Sequence, residues 1–139
     1  MSTPPKSAYE KTGGMAYFPR MLDKIRLHAS GQLRPDFHAN LGMGADGWCA
    51  GFLRVDYDAL KKRVLDGGSD AEILDWCYNI GRKLNDVDLK IWNGFVTKIG
   101  WNDFATGRLE TLKAESGFIG RDDIQTMVEY FDVDEGRKP

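Results

Sequence analysis

Long apolar runs are missing from this 139-residue chain. No stretch approaches the roughly 18 uninterrupted apolar residues that a membrane-spanning helix needs. The first fifteen residues, with Pro4, Pro5, Lys6, Glu10 and Lys11, lack the apolar centre of a signal peptide. Both absences lead us to expect a cytoplasmic protein. Cysteine is scarce: Cys49 and Cys77 lie too far apart for a CxxC redox pair or a zinc knuckle, and a reducing compartment keeps both as thiols without a disulfide. Histidine is equally scarce. His28 has Lys24 one turn before it and Gln32 one turn after it, so the paired-ligand spacing of a helical metal site such as HExxH is lacking, and no metal is expected. Charge of one sign does not dominate either. Nineteen Lys and Arg stand against 21 Asp and Glu, a net charge of -2, which excludes a global field that would gather nucleic acid or an anionic membrane. The first 66 residues hold ten basic and seven acidic side chains and the remainder nine and fourteen, a mild asymmetry that needs no functional cause. No period-two alternation marks a β-strand.

What is present reads as an ordinary folded domain. Apolar residues make up 42% and charged residues 29%, and the length fits one hydrophobic core. Residues 1–14 form a polar, proline-containing leader ending at Gly13-Gly14, expected to be mobile or draped over a single domain spanning 15–135, with 136–139 a disordered tail. Pro19, followed by Met21, Leu22, Ile25, His28 and Ala29 at spacings of three and four, predicts a first helix over 19–30, stopped by Gly31. Between Gln32 and Trp48 periodicity is lost, and Pro35, Gly42, Gly44 and Gly47 punctuate a long irregular connection of a kind that often carries function. A short helix fits 48–55, and Asp56 caps the next, which ends at Gly67-Gly68. Ser69 and Glu72 have the spacing of a capping box for a helix running to Gly81. Further helices fit 86–99, 103–116 and 121–132. The short glycine-containing links place consecutive helices in contact, so the expected class is all-α, a compact orthogonal bundle of about six to seven short helices.

Three separated segments carry a resemblance: Gly13-Gly14, then Pro19-Arg20-Met21-Leu22-Asp23-Lys24, then Ser69-Asp70-Ala71-Glu72-Ile73-Leu74-Asp75-Trp76. With them the chain resembles, over most of its length, a bacterial family known only as a domain of unknown function, numbered five thousand and sixty-nine. The resemblance implies a small single-domain protein and brings with it no activity, cofactor or catalytic residue.

Candidate chemistry gathers around the irregular connection. Arg20, Asp23, Lys24 and Arg26 stand on the first helix, and His38, Asn40, Asp46 and Cys49 follow it. A cysteine nucleophile needs a nearby imidazole or cation to become a thiolate, which His38 and Arg26 would supply if the connection folded back. The plainer alternative, which we weight more heavily, buries Cys49 under Trp48 and Phe52 and leaves His38 capping backbone groups. Cys77 shares the core-facing stripe of Ile73 and Leu74. Trp76, Trp92, Phe95 and Trp101 have core spacing. The run from Asp132 to Gly136 lacks the rest of a calcium loop, and Arg121-Asp122-Asp123 reads as a dipole-favoured helix start. Consecutive helices at 69–80 and 86–99 raise a helix-turn-helix, but the second offers an acidic rather than a basic surface, which argues against nucleic acid. The leading expectation is a binding module for a protein or a small ligand, using the first helix and the 32–48 connection. A thiol- or metal-dependent enzyme is the alternative. The sequence names no cofactor and no oligomeric state.

Overall fold

Helix α1 (Phe18–Ala29) is buried along most of its length, including Phe18, Pro19, Arg20, Met21, Leu22, Lys24 and Ile25. A helix buried on several faces belongs at the centre of a domain, and the remaining elements pack around it. They are visible in a computed structural model that describes residues 2–139. Strands β1 (Lys11–Thr12) and β2 (Met15–Ala16) precede α1 as an antiparallel pair with Lys11 opposite Ala16. A 3-10 helix (Pro35–Asn40) follows it, then α2 (Ala45–Phe52), α3 (Tyr57–Leu65), α4 (Asp70–Ile80), α5 (Asp86–Val96), α6 (Thr106–Glu115) and α7 (Met127–Asp134). The protein is an all-α single domain apart from the two short strands. No helix among the described residues is long and apolar enough to cross a membrane.

Local chemistry explains the well-anticipated elements. Ser69 accepts from the Glu72 N–H while the Glu72 carboxylate accepts from the Ser69 N–H, and Asn85 and Asp88 repeat the arrangement at the start of α5. The Asp56 carboxylate accepts from the Ala59 N–H to open α3. One core cluster joins α1 to α2, α3, α4 and α5 through Met21, Leu22, Leu53, Leu60, Ile73 and Trp92. A smaller one, built on Leu109, Ile124 and Tyr130, joins α6 to α7.

The described part of the leader, 2–14, is draped over the domain: Ala8 is fully buried, the Lys6 N–H donates to Asp23, and the Tyr17 N–H reaches the carbonyls of Ala8 and Glu10. Several expectations are corrected. The boundary expected after residue 14 falls inside a hairpin, because Gly13 and Gly14 both adopt positive φ and turn the chain in two residues. A Cβ on Gly13 would lie 2.7 Å from the Leu74 side chain. At the other end, residues 136–139 are tied back: Arg137 donates to the Pro5 carbonyl and to Asp132 and Glu135. The irregular 32–48 connection holds the 3-10 helix and the first turn of α2. The last two helices start late, since the Asp103 carboxylate accepts from Gly100 and Ala105 to close a turn, and Thr126, not Arg121, caps α7. Trp92 and Trp76 join the core, but Trp101 is 54% exposed beside Asn102 at φ 48°.

Two glycines test this packing. A Cβ on Gly81 would lie 2.0 Å from the Leu53 carbonyl oxygen, while one on Gly94, inside α5, meets nothing within 4 Å. Chemical denaturation should show Gly81→Ala losing about 3 kcal/mol by overpacking. Gly94→Ala should gain about 0.5–1 kcal/mol by removing a flexible residue from a helix.

Candidate functional site

Polar residues on a buried helix require partners, and α1 acquires them from distant parts of the chain. Tyr17, Arg20 and Lys24 follow one another at i, i+3 and i+7, one stripe of the helix. The Arg20 guanidinium, 1% exposed, forms a fork-on-fork pair with Glu135, Nη1 to Oε1 at 2.8 Å and Nη2 to Oε2 at 2.6 Å, and Nη1 also donates to the Lys6 carbonyl. Lys24 Nζ donates to Asp46 Oδ2 at 3.0 Å, and Asp46 is fully buried in the first turn of α2. Asp46 accepts twice more, from the Tyr17 hydroxyl at 2.6 Å and from the Gly42 N–H at 3.1 Å. Tyr17 itself sits at φ 73°, a left-handed conformation that a bulky side chain rarely adopts. The backbone strain is held by the draped segment and delivers the phenol to Asp46.

The electrostatics follow from burial. Desolvation lowers the Lys24 ammonium against the opposing pull of Asp46. Burial also opposes the Arg20 charge, but the hydrogen bonds it donates to Glu135 and the charge of that carboxylate outweigh it and raise the group. The Tyr17 phenol is pushed well above its ordinary range by burial and by the neighbouring Asp46 charge.

Beside this stripe lies a cavity of about 360 Å³. Its walls are aromatic and apolar, notably Phe37, Trp48, Val96, Tyr130 and Phe131, and its floor includes Tyr17, Arg20 and Lys24. Arg20 also lies over the Phe131 ring at 4.4 Å. Glu135 and Asp46 are not among the residues that line it, so the two cations stand between the cavity and their counterions. At the mouth, Arg34 pairs with Asp36 and Asp134, both at 2.6 Å.

Of the candidates read from sequence, Arg20 and Asn40 line the cavity and Asp46 supports its floor. Cys49, one turn after Asp46, is fully buried, and burial with the Asp46 charge pushes its thiol well above the ordinary range, the opposite of what a nucleophile needs. Asp23 and Arg26 engage other partners: Asp23 holds the Lys6 N–H, and Arg26 pairs with Asp70 at 2.6 Å. His38 donates from Nε2 to the Leu33 carbonyl at 3.0 Å and packs edge-on against His28. No hydrogen bond joins His38 to Cys49 or Asp46 among the described residues, so the thiol, imidazole and carboxylate do not act together. No group of three or more His, Cys, Asp or Glu side chains placed to share a metal ion occurs among those residues.

Sequence reading missed Tyr17, Phe37, Trp48 and Glu135. The stripe had a signal, in that Tyr17, Arg20 and Lys24 interleave with the apolar Phe18, Met21, Leu22 and Ile25 on both sides. Glu135 had none, because 115 residues separate it from Arg20.

These features define a single-domain helical protein with an aromatic-walled cavity, open to solvent at its mouth and floored by neutralised cations. The chain belongs to the family described as Domain of unknown function (DUF5069), which it matches over residues 2–137. No curated protein matches it.

Three outcomes follow from the buried groups. Replacing Glu135 by Gln strands the Arg20 charge and should cost about 3–5 kcal/mol in denaturant unfolding. Burial lifts the Cys77 thiol from 9.0 to about 12, and Cys49 also stands high. Native-state alkylation of Cys77 at pH 8 should therefore run about a thousandfold slower than for an ordinary thiol, the factor three pKa units set. Because Cys49 and Tyr17 stay protonated in the fold while the unfolded thiol and phenol ionise near 9.0 and 10.0, the unfolded state binds fewer protons above those values. Stability should fall as pH rises past 9. Lys24 contributes with the opposite sign below 10.5 and offsets part of the loss.

Proposed function

We propose that this is a cytoplasmic bacterial binding protein whose ligand is a small molecule with an apolar body, held between α1, the 34–48 segment and helices α6 and α7. The observation that carries this reading is the cavity itself. Its volume of about 360 Å³ falls at the small end of the roughly 300–1,000 Å³ usual for ligand clefts. Its aromatic walls suit a flat apolar group, and the polar groups on its floor and at its mouth suit orientation of that group. A cavity of this size beside a strained tyrosine and two buried ion pairs gains the fold nothing in stability.

The thiol-enzyme alternative loses support from the burial of Cys49, and the acidic first turn of α5, with Asp86 and Asp88, speaks against nucleic acid. A protein partner keeps one supporting observation, an exposed aromatic cluster in which Trp48 meets Phe95 at 5.7 Å and Phe104 at 5.4 Å, with Ile91 59% exposed nearby.

Thermal unfolding with two naphthalene probes tests the leading reading. 2-Naphthylmethanol or 2-naphthoate should raise Tm and perturb tryptophan fluorescence, and Leu112→Trp, which fills the cavity from α6, should abolish both responses while preserving the helical circular dichroism. Ile91→Glu, on the exposed cluster and outside the cavity lining, should leave them intact. No response of the native protein to either probe would overturn the cavity reading.

A further inference from the structure

We infer that the inner end of the cavity is an oxyanion site and that the ligand class is a small organic acid with a flat apolar body, bound carboxylate first. This deepens the cavity reading above and rests on it. Four observations converge there. Lys24, with its side chain only 7% exposed, has three ammonium N–H groups and a single hydrogen-bond partner, Asp46. The Nε–H of Arg20 is buried with no acceptor in the protein, although both Nη atoms are paired. The Ala45 N–H, in the first turn of the eight-residue α2, donates to no backbone or side-chain acceptor among the described residues, and Ala45 and Gly44 line the same cavity. The carboxylates that neutralise the two cations, Glu135 and Asp46, lie behind them, so a group reaching the floor meets donors first.

Depth decides which charges matter. Three acids line the outer part: Asp36, 60% exposed, and Asp134, 18% exposed, are held by Arg34, and the exposed Glu115 has no ion pair among the described residues and is screened by solvent. The floor charges are dry. A neutral hydroxyl or carbonyl oxygen would also accept from the spare N–H groups, but a carboxylate makes charge-assisted hydrogen bonds of roughly twice the strength. A phosphate dianion would bring two negative charges beside Asp46 and Glu135, with one spare ammonium face and one spare guanidinium N–H to meet them. A monoanion such as a carboxylate matches that supply.

The test uses 2-naphthoate and 2-naphthylmethanol, which share a ring system and differ in charge, titrated calorimetrically into the full chain at pH 7. Naphthoate should bind at least about tenfold more tightly, the margin expected for added charge-assisted hydrogen bonds. Amide NMR of the unaltered protein supplies a readout independent of any variant: the Ala45 N–H should move downfield with naphthoate and not with naphthylmethanol. Arg108→Ala, at the exposed mouth, should leave the preference unchanged, while Lys24→Gln should erase it and Lys24→Arg restore part of it. Equal affinities for the two probes would sink the oxyanion inference and leave the cavity reading standing. Binding of neither would end both. A naphthoate preference that vanishes in Arg108→Ala with the Ala45 amide unmoved would place the anion at the mouth and overturn the inner site.

Discussion

Two cations buried on one helix set the terms for the rest of this molecule. An isolated guanidinium or ammonium in a dry interior is far too costly to keep. The fold therefore brings Glu135 from the end of α7 and Asp46 from the start of α2 to meet Arg20 and Lys24. Those two demands fix where the last helix and the 34–48 segment lie against α1. The aromatic walls of the cavity come with them, since Phe37 and Trp48 belong to the segment that carries Asp46, and Phe131 lies one turn before Glu135. Ion pairs of this kind rarely add net stability over apolar residues of similar volume, and their retention makes best sense as a device for position.

The draped N-terminal segment belongs to the same device. Its carbonyls at Ala8 and Glu10 anchor the Tyr17 N–H, which holds the left-handed turn that aims the phenol at Asp46. Lys6 contributes its carbonyl to Arg20 and its N–H to Asp23, so the backbone of the segment spans both ends of the stripe's first turn. A short polar stretch with two prolines thus becomes ordered through groups that every residue possesses, its main-chain donors and acceptors.

That explains the pattern of what was legible in the amino-acid order. Helix starts with side-chain caps, at Asp56, Ser69 and Asn85, could be placed because the signal is local and chemical. The starts of α6 and α7 were placed too early because Asp103 and the 121–125 stretch spend their polar groups on turns, a competition that periodicity does not register. The leader's state was left open between mobile and draped because its order depends on backbone bonds to residues of α1 and to Arg137. For the site, the helix stripe was within reach, as polar residues set between apolar ones on a strongly periodic segment. The choice of His38 and Cys49 followed chemical reactivity by residue type. Burial, which sequence spacing leaves open for a lone thiol, gives Cys49 a structural role instead, and the exposed His38 is occupied by the Leu33 carbonyl.

The separation of Arg20 from Glu135 along the chain also bears on how the protein is born. On a translating ribosome α1 emerges early, yet the carboxylate that neutralises its guanidinium is made more than a hundred residues later. Until then the centre of the domain cannot close dry, because a lone charge keeps it hydrated. A chain lacking that last turn leaves the Arg20 guanidinium at the centre of the domain without its carboxylate.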